Sequence, residues 1–195
     1  CAGIPAGLAA DAPVTTQVIT RALLRAEMWL DENEKANREE AVDILSRSEY
    51  VGADRDVIAA SMTGTFEYEA GDVREVPDFN VFFRYNATYP YYSDAVWYLT
   101  QMRRWGQIAE SQPDDWYDDV ARSVYRSDIY LEAARSLVDD GLANEADFPW
   151  DHAGYREPQY AYIDGLTFEG RQSTSDPETT QTGRQERANE TGGTR

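Results

Sequence analysis

Residues Cys1 to Pro13 are small, contain Gly and Pro, and show no apolar period, so they read as an irregular lead-in. From Thr15 or Thr16 to about Asp31 the spacing turns helical: Ile19, Leu23, Ala26 and Leu30 recur on one side and predict an amphipathic helix. Asn37 with Glu40 three residues on has capping-box spacing and predicts a second helix through Ile44 and Leu45. Asp54 is placed to cap a third, with Val57, Ile58 and Met62 along it. The pattern then alternates at Phe66 and Tyr68, and Ala70-Gly71-Asp72 supplies a turn, which predicts a short hairpin. Val81 to Tyr85 is an apolar-aromatic run that reads as a buried strand or extended segment, broken by Pro90.

Ser93 is the predicted cap of the next helix, which runs to about Ala109 with Ala95, Leu99, Met102 and Gly106 on one face. Asp114-Asp115 begin another helix. Asp128 opens a further one, lined by Ala133, Ala134, Leu137 and Val138 and ending at Gly141. Phe148 to Pro158 is a loop rich in Trp, Tyr and Pro, and Tyr160 to Phe168 reads as a last short strand. Beyond Gly170 large apolar residues cease, and such a tail buries too little surface to offset its ordering entropy. The organisation expected is therefore a lead-in over 1–13, one domain over 14–169 and a disordered tail over 170–195.

Charge narrows the partners. Thirty-six acidic residues face 18 basic ones, a net charge of −18, and Lys35 is the only lysine. Nucleic acid is excluded as a partner, because phosphate binding needs a basic surface. The acidity fits either adaptation to high salt, where self-repulsion is screened, or a generic acidic protein; the near-absence of lysine favours the first. No apolar run approaches the length of a membrane span. Cys1 is the only cysteine, so an internal disulfide is impossible. Cys1-Ala2-Gly3 fits the lipid-modified end of a processed lipoprotein or an arbitrary cut, the second being the simpler reading.

Chemistry is sparse. His152 is the only histidine, beside Asp151, with no nucleophile set around it, so no catalytic residues are assigned and the chain does not read as an enzyme. A zinc site would need several His or Cys ligands. Asp114-Asp115 with Asp118-Asp119 lacks the spacing and glycine of a calcium loop, so no metal site is assigned. Phosphate loops are absent, and no cofactor is expected. Arg84, Arg103 and Arg104 are the weak candidates for anion contact, since a guanidinium fork suits planar oxyanions. Pairing with local carboxylates is the simpler fate for all three.

The text VPDFNVFFRYNATYPYYSDAVWYLTQMRRWGQI over residues 76–108 resembles the C-terminal half of the nitrate- and bicarbonate-binding proteins of ABC importers. Residues 22–54 are similar to that family's helix-rich segment, and SVYRSDIYLEAARSLVDDG to its Arg-x-Asp-Ile-Tyr helix. Tyr89-Pro90, Ser93 to Trp97 and Arg104-Trp105-Gly106 are the most specific pieces. Alone they also make structural sense, with Trp97 and Trp105 as burial anchors.

The resemblance, which covers roughly Thr15 to Phe168, implies a helix-rich α/β chain: the C-terminal part of a type II periplasmic-binding-protein-like, two-lobed fold. It implies a small inorganic anion as ligand (nitrate, or bicarbonate or cyanate), and ABC permease and ATPase subunits as partners. It also implies a missing N-terminal lobe carrying most ligand contacts. The location it implies is the periplasm or the outer face of the membrane, with or without a lipid anchor at Cys1. The alternative is a solute-sensing regulatory module fused to the importer's ATPase subunit, which would be cytoplasmic.

Overall fold

A computed structural model of the chain describes residues 3–110, 112–157 and 168. Over these residues the chain forms α1 (Ala6–Asp11), α2 (Pro13–Asp31), α3 (Arg38–Leu45), α4 (Arg55–Thr63), β1 (Thr65–Glu69), β2 (Asp72–Glu75), α5 (Tyr92–Arg104), α6 (Asp114–Val124) and α7 (Ser127–Asp139). It is a helix-rich fold with one small antiparallel sheet. None of the helices described is long and apolar enough to cross a membrane. The chain divides into two compact units, Cys1–Tyr89 with Ile129–Pro149, and Pro90–Asp128 with Trp150–Arg195, where the sequence suggested one domain over 14–169. Of the expected last strand only Phe168 is described, and the expected tail lies outside the described residues.

In the first unit, α1 occupies part of the stretch expected to be irregular. Pro13 then starts α2, where its fixed φ and missing N–H cost nothing. The buried line of α2 is Thr16, Leu24, Met28 and Asp31, whereas Ile19 and Leu23 are exposed. The expected face is thus wrong by about one residue's rotation, because polar Thr16 and Asp31 belong to the interior. Helix α3 brings Ala41 and Val42 against Met62 of α4, with Trp29, Leu30, Leu45, Ile58 and Phe82 packed round them, while Val57 points to solvent. Asp54 caps α4 as expected, accepting from the Asp56 N–H at 3.0 Å. Asn37 does stand before α3 but forms no side-chain cap; its amide donates to the Trp29 carbonyl at 2.7 Å and ties α3 back to α2.

The hairpin forms where the alternation predicts it, with Thr65 opposite Glu75 and a bulge before Gly71. Gly64 sets its entry. At φ +81° it ends α4, and a Cβ there would lie 2.6 Å from the Val76 carbonyl oxygen. The run Val81 to Tyr85 is not a strand. Its amides have another acceptor: the Asp31 carboxylate takes the N–H groups of Phe82, Phe83 and Arg84 at 3.1, 2.8 and 3.0 Å. The other Asp31 oxygen receives Arg38 at 2.5 Å, and both side chains are only 2% exposed. Arg38 also donates to the carbonyls of Leu30, Met62 and Asn80, so one guanidinium joins the ends of α2 and α4 to the segment after the hairpin. Stacked edges of Phe83, Phe148, Tyr130 and Tyr89 close the unit against α7.

In the second unit, α5 and α6 pack through Ala95, Val96, Tyr117 and Ala121, with Phe168 buried among them and Trp97 5.4 Å from its ring. Tyr91, not Ser93, occupies the cap position of α5. The helix ends at Arg104 rather than near Ala109: Gly106 takes a left-handed turn and the Gln107 N–H bonds back to Met102. Trp105, expected to be a burial anchor, is 71% exposed just past that end.

Removing one partner of the Asp31–Arg38 pair leaves a buried charge unmatched, which costs about 3–5 kcal/mol. Asp31→Asn and Arg38→Met should therefore each lower the thermal midpoint sharply, enough to unfold a marginally stable unit. Arg55→Gln, which loses only exposed bonds to Glu39 and Asp43, should leave the midpoint unchanged. Circular dichroism melts of the three variants decide the matter, and similar midpoints throughout would remove Asp31 from its central role.

Candidate functional site

Arg84 belongs to the first unit, Arg103 and Arg104 to the second. Arg84 stands on the short turn after the segment held by Asp31, and its guanidinium donates to Asp78 at 2.7 Å while lying 3.9 Å from Asp31. Lys35 approaches the same carboxylate at 3.4 Å and donates to the Pro77 carbonyl. Three cations (Lys35, Arg38, Arg84) thus meet two carboxylates (Asp31, Asp78), a local positive excess in a chain of net charge −18. Lys35 reaches Asp78 from a turn in which Asn33, Glu34 and Lys35 all have positive φ. That arrangement is costly for residues with a Cβ and persists only where its surroundings enforce it.

Ionisation follows this geometry. Arg84 holds the Asp78 carboxyl below the usual carboxylate range, and Lys35 adds to the effect. Burial works against an ionised Asp31, but three backbone N–H groups and Arg38 outweigh it and depress its pKa. Glu27, on α2, goes the other way: burial pushes it up to about 7.

In the second unit Arg103 donates to the Ala109 carbonyl at 3.2 Å and so closes the turn after α5. Arg104 donates to the Gln101 side-chain oxygen at 3.4 Å. The most elaborate polar cluster lies elsewhere, between residues 91–94 and the loop 152–156. Ser93 donates its N–H to the Gly154 carbonyl and accepts the Arg156 N–H on its hydroxyl, which is why it is buried rather than capping. The Arg156 guanidinium forks onto Asp94 at 3.0 and 3.3 Å and lies 3.8 Å over the Tyr91 ring. His152 accepts the Gly154 N–H on Nδ1 and sets its ring edge-on to Tyr91, a packing role. Arg122 stacks on Tyr92 and Tyr155 and bonds Asp118 and the Tyr155 hydroxyl, while the Tyr92 hydroxyl meets Ser127 Oγ at 2.5 Å.

These contacts account for the Tyr-Pro-Tyr-Tyr-Ser-Asp text as scaffold. Lys35, Asp78, Arg122 and Arg156 take part in the polar clusters but were not singled out from sequence. Only the run of aromatic residues around them gave a hint, because stacking of guanidinium on a ring leaves no fixed spacing along the chain. Among the described residues no group of three or more His, Cys, Asp or Glu is disposed to hold a metal.

Comparison with known proteins sets this scaffold in a context. No family model matches the chain. It is 31% identical over 160 residues to a nitrate/nitrite binding protein of Nostoc sp., a match of 80% of this chain and 33% of that protein. A bicarbonate-binding protein of Synechococcus elongatus is 28% identical over 163 residues, with 80% of this chain and 34% of that protein covered. A nitrate import ATP-binding protein of Synechocystis sp. is 34% identical over 128 residues, 64% of this chain and 18% of that protein. The crystal structure of the periplasmic nitrate-binding protein from Synechocystis superposes with a TM-score of 0.69 at 26% identity, covering 92% of this chain and 42% of that one. The chain therefore spans about a third of the length of the curated binding proteins it matches.

Two pH effects follow for the first unit. Because the folded pKa of Glu27 is raised, its contribution is fully present below its unfolded value of about 4.3 and is lost as pH rises through about 7. The depressed Asp31 acts oppositely: its stabilisation is present above about 3.9 and is lost as pH falls further. Thermal midpoints should peak near pH 5, and Glu27→Gln should flatten the decline between pH 5 and 8 while leaving the acid limb in place. A second substitution, Gly154→Ala, should lower stability by more than about 2 kcal/mol, since φ is +87° and a Cβ would overlap the Tyr92 ring. A neutral result in urea unfolding would mean that the 152–156 loop is not locked as described.

Proposed function

From the chain's membership of the nitrate- and bicarbonate-binding protein family of ABC importers, we propose that it forms part of the component that captures a small inorganic anion. It would deliver that anion to an ABC permease served by an ATPase subunit. The observation that carries the reading is the structural match, which takes in 92% of this chain and so extends over both compact units. Capture and release require no bond-making. The location that goes with this role is outside the cell membrane or in the periplasm.

A solute-sensing module joined to the ATPase subunit is the weaker alternative. Two ATP-binding relatives match 64% and 70% of this chain, against 64% to 80% for the binding proteins. Nitrate is the preferred anion over bicarbonate on the higher identity to the nitrate relative, 31% against 28%. Of the three arginines Arg103, which bonds a neutral carbonyl, is freer to meet an anion than Arg84, whose guanidinium would have to leave Asp78.

Since these guanidinium groups already have protein acceptors, this chain alone should bind nitrate and bicarbonate with Kd no tighter than about 1 mM, or roughly −4 kcal/mol. Calorimetric titration at low and high salt provides the check. Tight, selective nitrate binding by the 195-residue chain would show that it carries a whole pocket by itself and would overturn the reading as one part of a larger site.

A further inference from the structure

The outward side of α2 is unlike a solvent face. Two adjacent rows at helical spacing, Val14-Val18-Ala22 and Thr15-Ile19-Leu23-Ala26, are all exposed and contain no charge. Val14 is 76% and Val18 62% exposed, and the stripe runs for about 18 Å at 1.5 Å per residue. The flanking arginines do not reach across it: Arg21 turns to Ser136 and Asp140, Arg25 to Glu32. Ile4 and Leu8, ahead of the helix in the chain, are exposed as well. In a chain with 28% charged residues, a solvent-facing helix surface should carry several charges. A contiguous stripe without any marks a surface meant to be covered.

We infer that this face of α2 is the seat of the part of the binding-protein fold that the chain does not span. The proposal rests on the binding-protein reading above, and it follows from lengths. The match uses nearly all of this chain but 42% of the structural relative, so more than half of that fold lies outside it and must pack against the matched part somewhere. An uncharged seat suits such a permanent contact. It suits a second copy less well, because two chains of net charge −18 repel at ordinary ionic strength.

The test reads shielding rather than anion binding. In a Cys1→Ser background, Val18→Cys reports on the face and Val57→Cys, an exposed position on α4, serves as control. Maleimide labelling rates are compared in the 195-residue chain and in a chimera in which this chain replaces the matched part of the Synechocystis nitrate-binding protein. Labelling at position 18 should be at least tenfold slower in the chimera, with position 57 unchanged. The remaining part of that relative, added as a separate polypeptide, gives the same readout should the fused form misfold. Unchanged labelling at position 18 in both arrangements overturns the proposal. Slow labelling in the chain alone that recovers on dilution also overturns it, by assigning the face to a second copy. A chimera that shields position 18 but binds no nitrate removes the functional reading and leaves the docking face standing.

Discussion

The Asp31 carboxylate does two jobs with its two oxygens. One balances the buried Arg38 guanidinium, and the other accepts three consecutive amides, those of Phe82, Phe83 and Arg84. A segment with apolar, aromatic side chains would ordinarily satisfy its backbone in a sheet; here a single anion takes that place. Arg38 in turn gathers the carbonyls of Leu30, Met62 and Asn80, so helix ends and a loop share one cation. A buried ion pair alone is weak evidence of stability, because desolvation offsets the attraction. This one differs in that both ions also complete hydrogen bonds that the backbone cannot make elsewhere.

The second unit is organised by ring stacking instead. Arg156 over Tyr91, and Arg122 over Tyr92 and Tyr155, place guanidinium groups on aromatic faces, with Asp94 and Asp118 as their counter-ions. Gly154 permits this by letting its backbone lie against the Tyr92 ring. The loop 152–156 is thereby bound to the first turn of α5, and the aromatic richness of both stretches has a structural explanation.

The fate of the arginines bears directly on function. Carboxylates outnumber basic groups two to one, so many guanidinium groups meet an acid. Arg84 finds Asp78, Arg55 finds Glu39 and Asp43, and Arg135 finds Glu145. An anion arriving at such groups must displace a carboxylate already in place. Such competition weakens an arginine paired in this way as an anion contact.

The sequence alone determined the features that depend on near neighbours. The Asp54 cap, the turn at Gly71 and the start of α6 at Asp114 rest on interactions within a few residues, the buried line of α7 follows a local apolar period, and all stand in the structure. The family resemblance was legible for a related reason, since it lies in continuous stretches of text. The tertiary structure alone decided what depends on distant partners. Val81 to Tyr85 lost its strand to Asp31, some fifty residues away. Asn37 and Ser93 gave up capping for Trp29 and for the 154–156 backbone. The inner side of α2 was misread because its buried residues include Thr16 and Asp31, polar groups that apolar periodicity counts as outward-facing. Burial of a polar group is set by whether a partner awaits it, and no local pattern in the chain records where that partner lies.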